Sequence, residues 1–213
     1  ANGPAVETPD VGVAQRLQHE HAGDGHIAPK AGRDDGRLSA LGQLTLARRQ
    51  LGDGDVHGAR DVLLANQLVG PNARRLAKLA GWFREVRFST IADDAEAVGN
   101  LASAGQEAGI TLPVLLDLDG GMGRTGIPLG QAAVTLYKLI DQLPGVEPAG
   151  LHLYDGHLHD SDPAERLAKW ETMMEQLKSF RTDVEAAGLP VPVVVGGGTP
   201  TFPFHTRYTA HEC

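Results

Sequence analysis

From residue 61 onward the chain alternates short, β-branched apolar runs with longer segments whose apolar residues recur at helical spacing. This is the pattern of repeated βα units, in which buried parallel strands alternate with helices that bury one stripe. Val62-Leu63-Leu64-Ala65-Asn66 predicts a buried strand, and Pro71 to Gly81 a helix with Leu76, Leu79 and Ala80 turned inward. A strand over Val86 to Ser89 comes next. Asp93 or Asp94 then caps a helix running through Gly105, and Leu112 to Leu118 forms a strand ending in Asp119-Gly120-Gly121. A helix over Pro128 to Leu143 and a strand over Val146 to Leu153 follow. Asp162-Pro163, an N-cap and N1 pair, opens a helix reaching Gly188, and Val191 to Val195 is the last strand. Trp170, Met173, Met174, Leu177 and Phe180 repeat at helical spacing as a core stripe.

Residues 1–60 do not share this pattern. Gln15 to Gly58 carries His19, His21, His26 and His57 among Gly, Asp and Arg, with little periodicity outside Leu38 to Leu51. A polar, partly disordered segment is expected there. The chain therefore divides into an atypical N-terminal segment, 1–60, and a set of βα units, 61–213.

Length adds a bound: 213 residues suit one large α/β domain or a short barrel, since a complete eight-fold barrel takes about 250. A composition of 41% hydrophobic and 22% charged residues is ordinary for a globular chain and excludes collagen or wholesale disorder. The net charge of -8 offers no basic field, so nucleic acid and anionic membrane surfaces are poor partners and a small molecule is favoured. Cys213 is the only cysteine, which rules out a disulfide framework within the chain and suits a reducing, cytoplasmic setting. The apolar runs are strand-length, far short of the roughly 20 residues that span a bilayer. No signal peptide is legible after Ala1, and no closing element precedes Glu212-Cys213.

Ligands of parallel α/β sheets gather at the C-terminal strand ends, and there the sequence is unusual four times over. The clusters are Asn66-Gln67, then Asp119 to Gly126, then His152 to Asp160, then Gly196 to Thr201. Gly196-Gly197-Gly198-Thr199 has the chemistry of a phosphate cradle, with amides unshielded by Cβ atoms and a hydroxyl beside them; a plain glycine turn is the alternative. Arg124 follows a glycine-rich bend and is placed to face a phenolate, carboxylate or phosphate, or else solvent. His152, His157 and His159 suit proton transfer, contact with a ring-shaped cofactor, zinc, or loop capping.

The segments Asn66-Gln67-Leu68-Val69-Gly70, Gly121-Met122-Gly123-Arg124-Thr125-Gly126, Gly150-Leu151-His152-Leu153-Tyr154-Asp155-Gly156-His157 and Gly197-Gly198-Thr199-Pro200-Thr201-Phe202-Pro203 occur in this order over residues 61–213. They strongly resemble the D-threonine aldolase and D-serine dehydratase-like family, pyridoxal-phosphate enzymes with an alanine-racemase-type N-terminal barrel. The resemblance implies an α/β fold, a partial (β/α) TIM-type barrel lacking the family's C-terminal β domain. It also implies pyridoxal 5′-phosphate at the barrel mouth, its phosphate on Gly196, Gly197, Gly198 and Thr199. Arg124 would lie beside the ring or its phenolic oxygen, Gln67, His152 and His159 would line ring or substrate, and His157 is the catalytic proton-transfer candidate. The implied substrate is a small D-β-hydroxy amino acid, cleaved by retro-aldol or elimination chemistry. The full-length family suggests a homodimer, and a divalent metal whose ligands lie beyond this chain.

The sequence departs from the family at both ends. Family members form a Schiff base through a lysine in an early Arg-Pro-His-x-Lys-Thr-His-Lys segment, and the nearest counterpart here is Ile27-Ala28-Pro29-Lys30-Ala31-Gly32-Arg33. Lys30 is the Schiff-base candidate, although an ungapped match on the proline puts Gly32 at that position. Glu7-Thr8-Pro9 and Leu41 to Arg48 resemble family elements without the apolar strands between them, as a frameshifted segment over 10–60 or a diverged N-terminus would. The expectation is a D-threonine aldolase-like lyase, inactive as written. The alternatives are a D-serine dehydratase-like lyase, a non-catalytic remnant that binds phosphate ligands, and a metal hydrolase using His152, His157 and His159.

Overall fold

A computed structural model describes residues 59–206, and the expectations for residues 1–58, Lys30 among them, lie outside the described residues. The elements run β1 (Asp61–Leu64), α1 (Asn72–Trp82), β2 (Arg87–Ala92), α2 (Ala95–Ala108), β3 (Leu112–Asp119), β4 (Ile127–Pro128), α3 (Gln131–Gln142), β5 (Val146–Leu153), α4 (Pro163–Ala186), β6 (Val194–Gly196) and α5 (Phe202–His205). Every pairing is parallel. The sheet order is β1-β2-β3-β5-β6, with the short β4 beside the C-terminal end of β3.

Side-chain alternation along the strands separates two cores. Val114, Leu116 and Leu118 of β3 join Phe88, Leu151 and Leu153 in a large cluster with the helices, including the expected α4 stripe of Trp170, Met173, Met174, Leu177 and Phe180. The other sheet face carries a smaller cluster of Ile91, Leu115 and Ala149, with Leu63 and Val195 packed against it. Those five residues come from β1, β2, β3, β5 and β6 in turn and line the inner face of a partial barrel.

Three features differ from the sequence expectation. β1 is half-exposed rather than buried, because among the described residues it pairs only with β2. β2 runs on to Ala92, since the hydroxyls of Ser89 and Thr90 are buried and donate to the carbonyls of Val62 and Leu64 in the neighbouring strand. The third is a bulge in β5: Val114 faces Pro148 but Leu115 faces Gly150, so Ala149 is an extra residue. A bulge is where a strand tolerates a proline such as Pro148. It shifts β5 by one residue and flips its faces, bringing His152 opposite Asp117.

Gly150 is the hinge of that bulge. Its φ is +128°, and a Cβ there would run into the backbone carbonyl of Val193, which accepts from the Leu151 amide. Gly109, at φ +64° after α2, has open space around it instead. Gly150→Ala should therefore cost about 2 kcal/mol or more in urea unfolding. Gly109→Ala should cost only about 1 kcal/mol, and equal losses would contradict the bulge.

Candidate active site

The polar clusters lie at the C-terminal ends of the strands, above the apolar layer. Gln67, following β1, accepts from the Asp93 amide at 2.8 Å and donates to Asp94 Oδ2 at 2.6 Å. Asp94 in turn caps α2 through the Ala97 amide. Both ends of the Gln67 amide thus brace the loops after β1 and β2.

The loop after β3 folds around one carboxylate. Asp119 Oδ1 accepts from the amides of Gly121 and Gly123 at 2.9 and 3.0 Å, and Asp93 Oδ2 accepts from the Gly126 amide at 2.8 Å. A Cβ at Gly126 would sit 2.5 Å from the Asp119 nitrogen, and its φ of +94° also favours glycine. This bend leaves Arg124 exposed, its guanidinium 5.1 Å from the centre of the Tyr154 ring. Asp117, Asp119, Met122, Arg124, Thr125 and Tyr154 line a shallow cavity.

Below Arg124, His152 Nδ1 lies 2.6 Å from Oδ1 of Asp117. Asp117 is buried, and its Oδ2 has no hydrogen-bond partner among the described residues. A carboxylate only accepts hydrogen bonds, so the ring donates from Nδ1–H to Asp117 and Nε2 is its acceptor nitrogen. His157 Nδ1 is likewise buried without a partner, and its Nε2 packs against Gly121. His159 is exposed and turns its Nδ1 back to the His157 carbonyl. The three imidazoles do not converge, and no group of three metal-binding side chains forms among the described residues.

The glycine turn closes the rim beyond β6. The Gly197 amide donates to Leu153 O at 3.3 Å and the Gly198 amide to Thr201 Oγ1 at 3.1 Å, so two amides of the turn face the protein. Gly196 is the last residue of β6, and Thr199 is exposed at the tip. Lys78, Lys138, Lys169 and Lys178 all belong to helices α1, α3 and α4, and no described lysine follows a strand end.

Sequence reasoning placed Asp155 and Thr201 in the rim clusters without a role and missed Asp117; all three are buried. Asp117 had a signal: an ionisable residue inside the apolar run Leu112 to Leu118 needs a partner when buried. His205, the partner of Asp155, had none.

Residues 68–212 match the family model for the alanine racemase N-terminal domain. The chain is 31% identical over 161 residues to a 3-hydroxy-D-aspartate aldolase of Paracoccus denitrificans (strain Pd 1222), covering 73% of this chain and 41% of that one. The structure superimposes on D-threonine aldolase from Filomicrobium marinum with a TM-score of 0.66 at 30% identity, over 76% of this chain and 47% of that one. It also matches D-threo-3-hydroxyaspartate dehydratase from Delftia sp. HT23, with a TM-score of 0.57 at 25% identity, over 75% and 45%. The chain thus spans less than half the length of each of these relatives.

The Asp119 loop makes a pH prediction. The Gly123 amide, with those of Gly121 and Met122, holds the Asp119 carboxyl below the usual aspartate range, against the opposing effect of burial. A depressed folded-state value stabilises the loop above the unfolded value and loses that contribution only as pH falls through the folded one. Gly121 and Gly123 amide shifts should therefore titrate with a midpoint below the ordinary value of about 3.9. A midpoint at or above it would contradict the loop geometry.

Proposed function

The chain belongs to the alanine racemase N-terminal domain family, and on that premise we propose that it provides the cofactor-binding barrel of a pyridoxal-phosphate-dependent lyase acting on D-β-hydroxy amino acids. The observation that carries this reading is the rim itself, where an unpaired buried carboxylate oxygen on Asp117, an oriented His152, an exposed Arg124 and a glycine turn share one end of the sheet. The names of the relatives, two aldolases and a dehydratase of D-hydroxy amino acids, support the substrate class.

These residues fit the cofactor. Thr199, at the exposed tip of the Gly196–Gly198 turn, would meet its phosphate, Arg124 would face the phenolic oxygen, and His152 would contact the ring. Bound there, the cofactor supplies an electron sink for the bond broken at the substrate α-carbon. His152 keeps its Nδ1 proton on Asp117 and offers Nε2 as an acceptor. His157, whose buried Nδ1 has no partner among the described residues, is the proton carrier in this reading. Gln67 acts by holding Asp93, and through it the Gly126 end of the Arg124 loop. His159, turned back on its own loop, is the group left for the substrate side. The covalent anchor falls to Lys30, outside the described residues, and the divalent metal implied by the resemblance finds no set of three ligands among the described residues.

Fluorescence titration with pyridoxal 5′-phosphate tests the cofactor assignment. Gly197 sits at φ +137°, and Gly197→Val should weaken binding roughly tenfold or more by distorting the turn. Unchanged affinity would overturn the site. Incubating the cofactor-loaded protein with D-threonine and 3-hydroxy-D-aspartate tests the chemistry. Glycine plus an aldehyde supports the aldolase reading, a keto acid plus ammonia supports the dehydratase reading, and turnover no faster than free cofactor is the result expected if this chain is inactive as written.

A further inference from the structure

We infer that Asp155 is a positioning residue for the glycine turn: without touching a ligand, it sets the shape of the turn and hence the protein's preference for a phosphorylated ligand. The inference rests on the cofactor site proposed above. Asp155 and Thr201 are both 0% exposed. A carboxylate removed from water is costly unless both oxygens are hydrogen-bonded. Here both are. Thr201 Oγ1 donates to Asp155 Oδ1 at 2.8 Å, and His205 Nε2 lies 2.8 Å from Asp155 Oδ2.

Each partner passes the constraint on. Thr201 Oγ1 accepts from the Gly198 amide, while the Gly198 carbonyl accepts from the amides of Thr201 and Phe202 at 3.1 and 2.9 Å. The His205 ring also meets the Trp170 ring edge to face, with centroids 5.0 Å apart. One carboxylate therefore ties the loop after β5 to the glycine turn, to α5 and, through Trp170, to α4.

The same contact explains a glycine. A Cβ at Gly198 would lie 2.6 Å from Asp155 Oδ1 and 3.1 Å from Gly156 Cα, so residue 198 is small to admit the carboxylate. Gly196 meets nothing closer than 3.4 Å and carries no such demand. With the Gly197 and Gly198 amides committed inward, Thr199 at the exposed tip is the part of the turn left to meet an anion, and the Asp155 network decides where that tip stands.

The test compares pyridoxine 5′-phosphate with pyridoxine, neither of which has an aldehyde to react with lysines, by calorimetry on the whole chain. Thr201→Val and Asp155→Ala should each reduce the preference for the phosphate ester roughly tenfold while leaving pyridoxine binding little changed, and Thr201→Ser should restore it. A purely structural role would weaken both ligands alike. Retained preference in Thr201→Val would overturn the inference, and serves if Asp155→Ala fails to fold. If the unmodified protein shows no preference, the proposed cofactor site fails instead. Positioning is then decided by Gly198 amide exchange without ligand, which Thr201→Val should accelerate roughly tenfold and which, unchanged, would refute it.

Discussion

The register of β5 against β3 is the constraint on which the site depends. Side chains of a strand alternate with a period of two, so one inserted residue exchanges the faces of everything after it. Ala149 is that residue, and Gly150 permits it by adopting a conformation closed to side chains so near the Val193 carbonyl. Beyond the bulge Leu151 and Leu153 pack under the helices, while His152 stands beside Asp117 on the inner face. Without it, Leu151 would oppose Asp117, leaving a buried carboxylate against a leucine. β6 depends on the same register, since Leu151, His152 and Leu153 pair with Val194, Val195 and Gly196 and so fix where the glycine turn begins.

Above the apolar layer of Ile91, Leu115 and Ala149, the rim uses polar groups in two ways. Gln67, Asp93, Asp94, Asp119, Asp155 and Thr201 are spent on backbone amides and on one another, fixing loops that have little apolar packing of their own. Asp117 Oδ2 and His157 Nδ1 are buried without a partner among the described residues, and Arg124 stands exposed over the Tyr154 ring. Buried polar atoms in folded proteins are nearly always paired, so unpaired ones at one rim mark a place for a ligand. Glycines follow the same division: Gly126 and Gly198 are small to admit protein, not ligand.

Much of the fold was legible because periodicity reports burial. The strand over Leu112 to Leu118, the helix capped by Asp94 and the α4 stripe stand where the pattern placed them, and the alanine-racemase-type N-terminal barrel implied by the four motifs is the domain the family model matches. The helix beginning near Pro128 was expected too early, because Ile127 and Pro128 pair with β3 as β4 before α3 starts. The last strand was expected from Val191, but Pro190 and Pro192 have no amide to donate and pairing begins at Val194. α5 is a four-residue turn, too short to show a period. Rim residues were legible as types at strand ends, whereas the pairing of Asp155 with His205, 50 residues apart, is set by tertiary structure alone.

The most direct measurement is the protonation of the His152 ring, read from a nitrogen–proton correlation spectrum of the imidazole. The β5 register predicts a proton on Nδ1 in a strong hydrogen bond to Asp117, with a downfield signal that is lost in Asp117→Leu. A bare Nδ1 with the proton on Nε2, unmoved by Asp117→Leu, would contradict it.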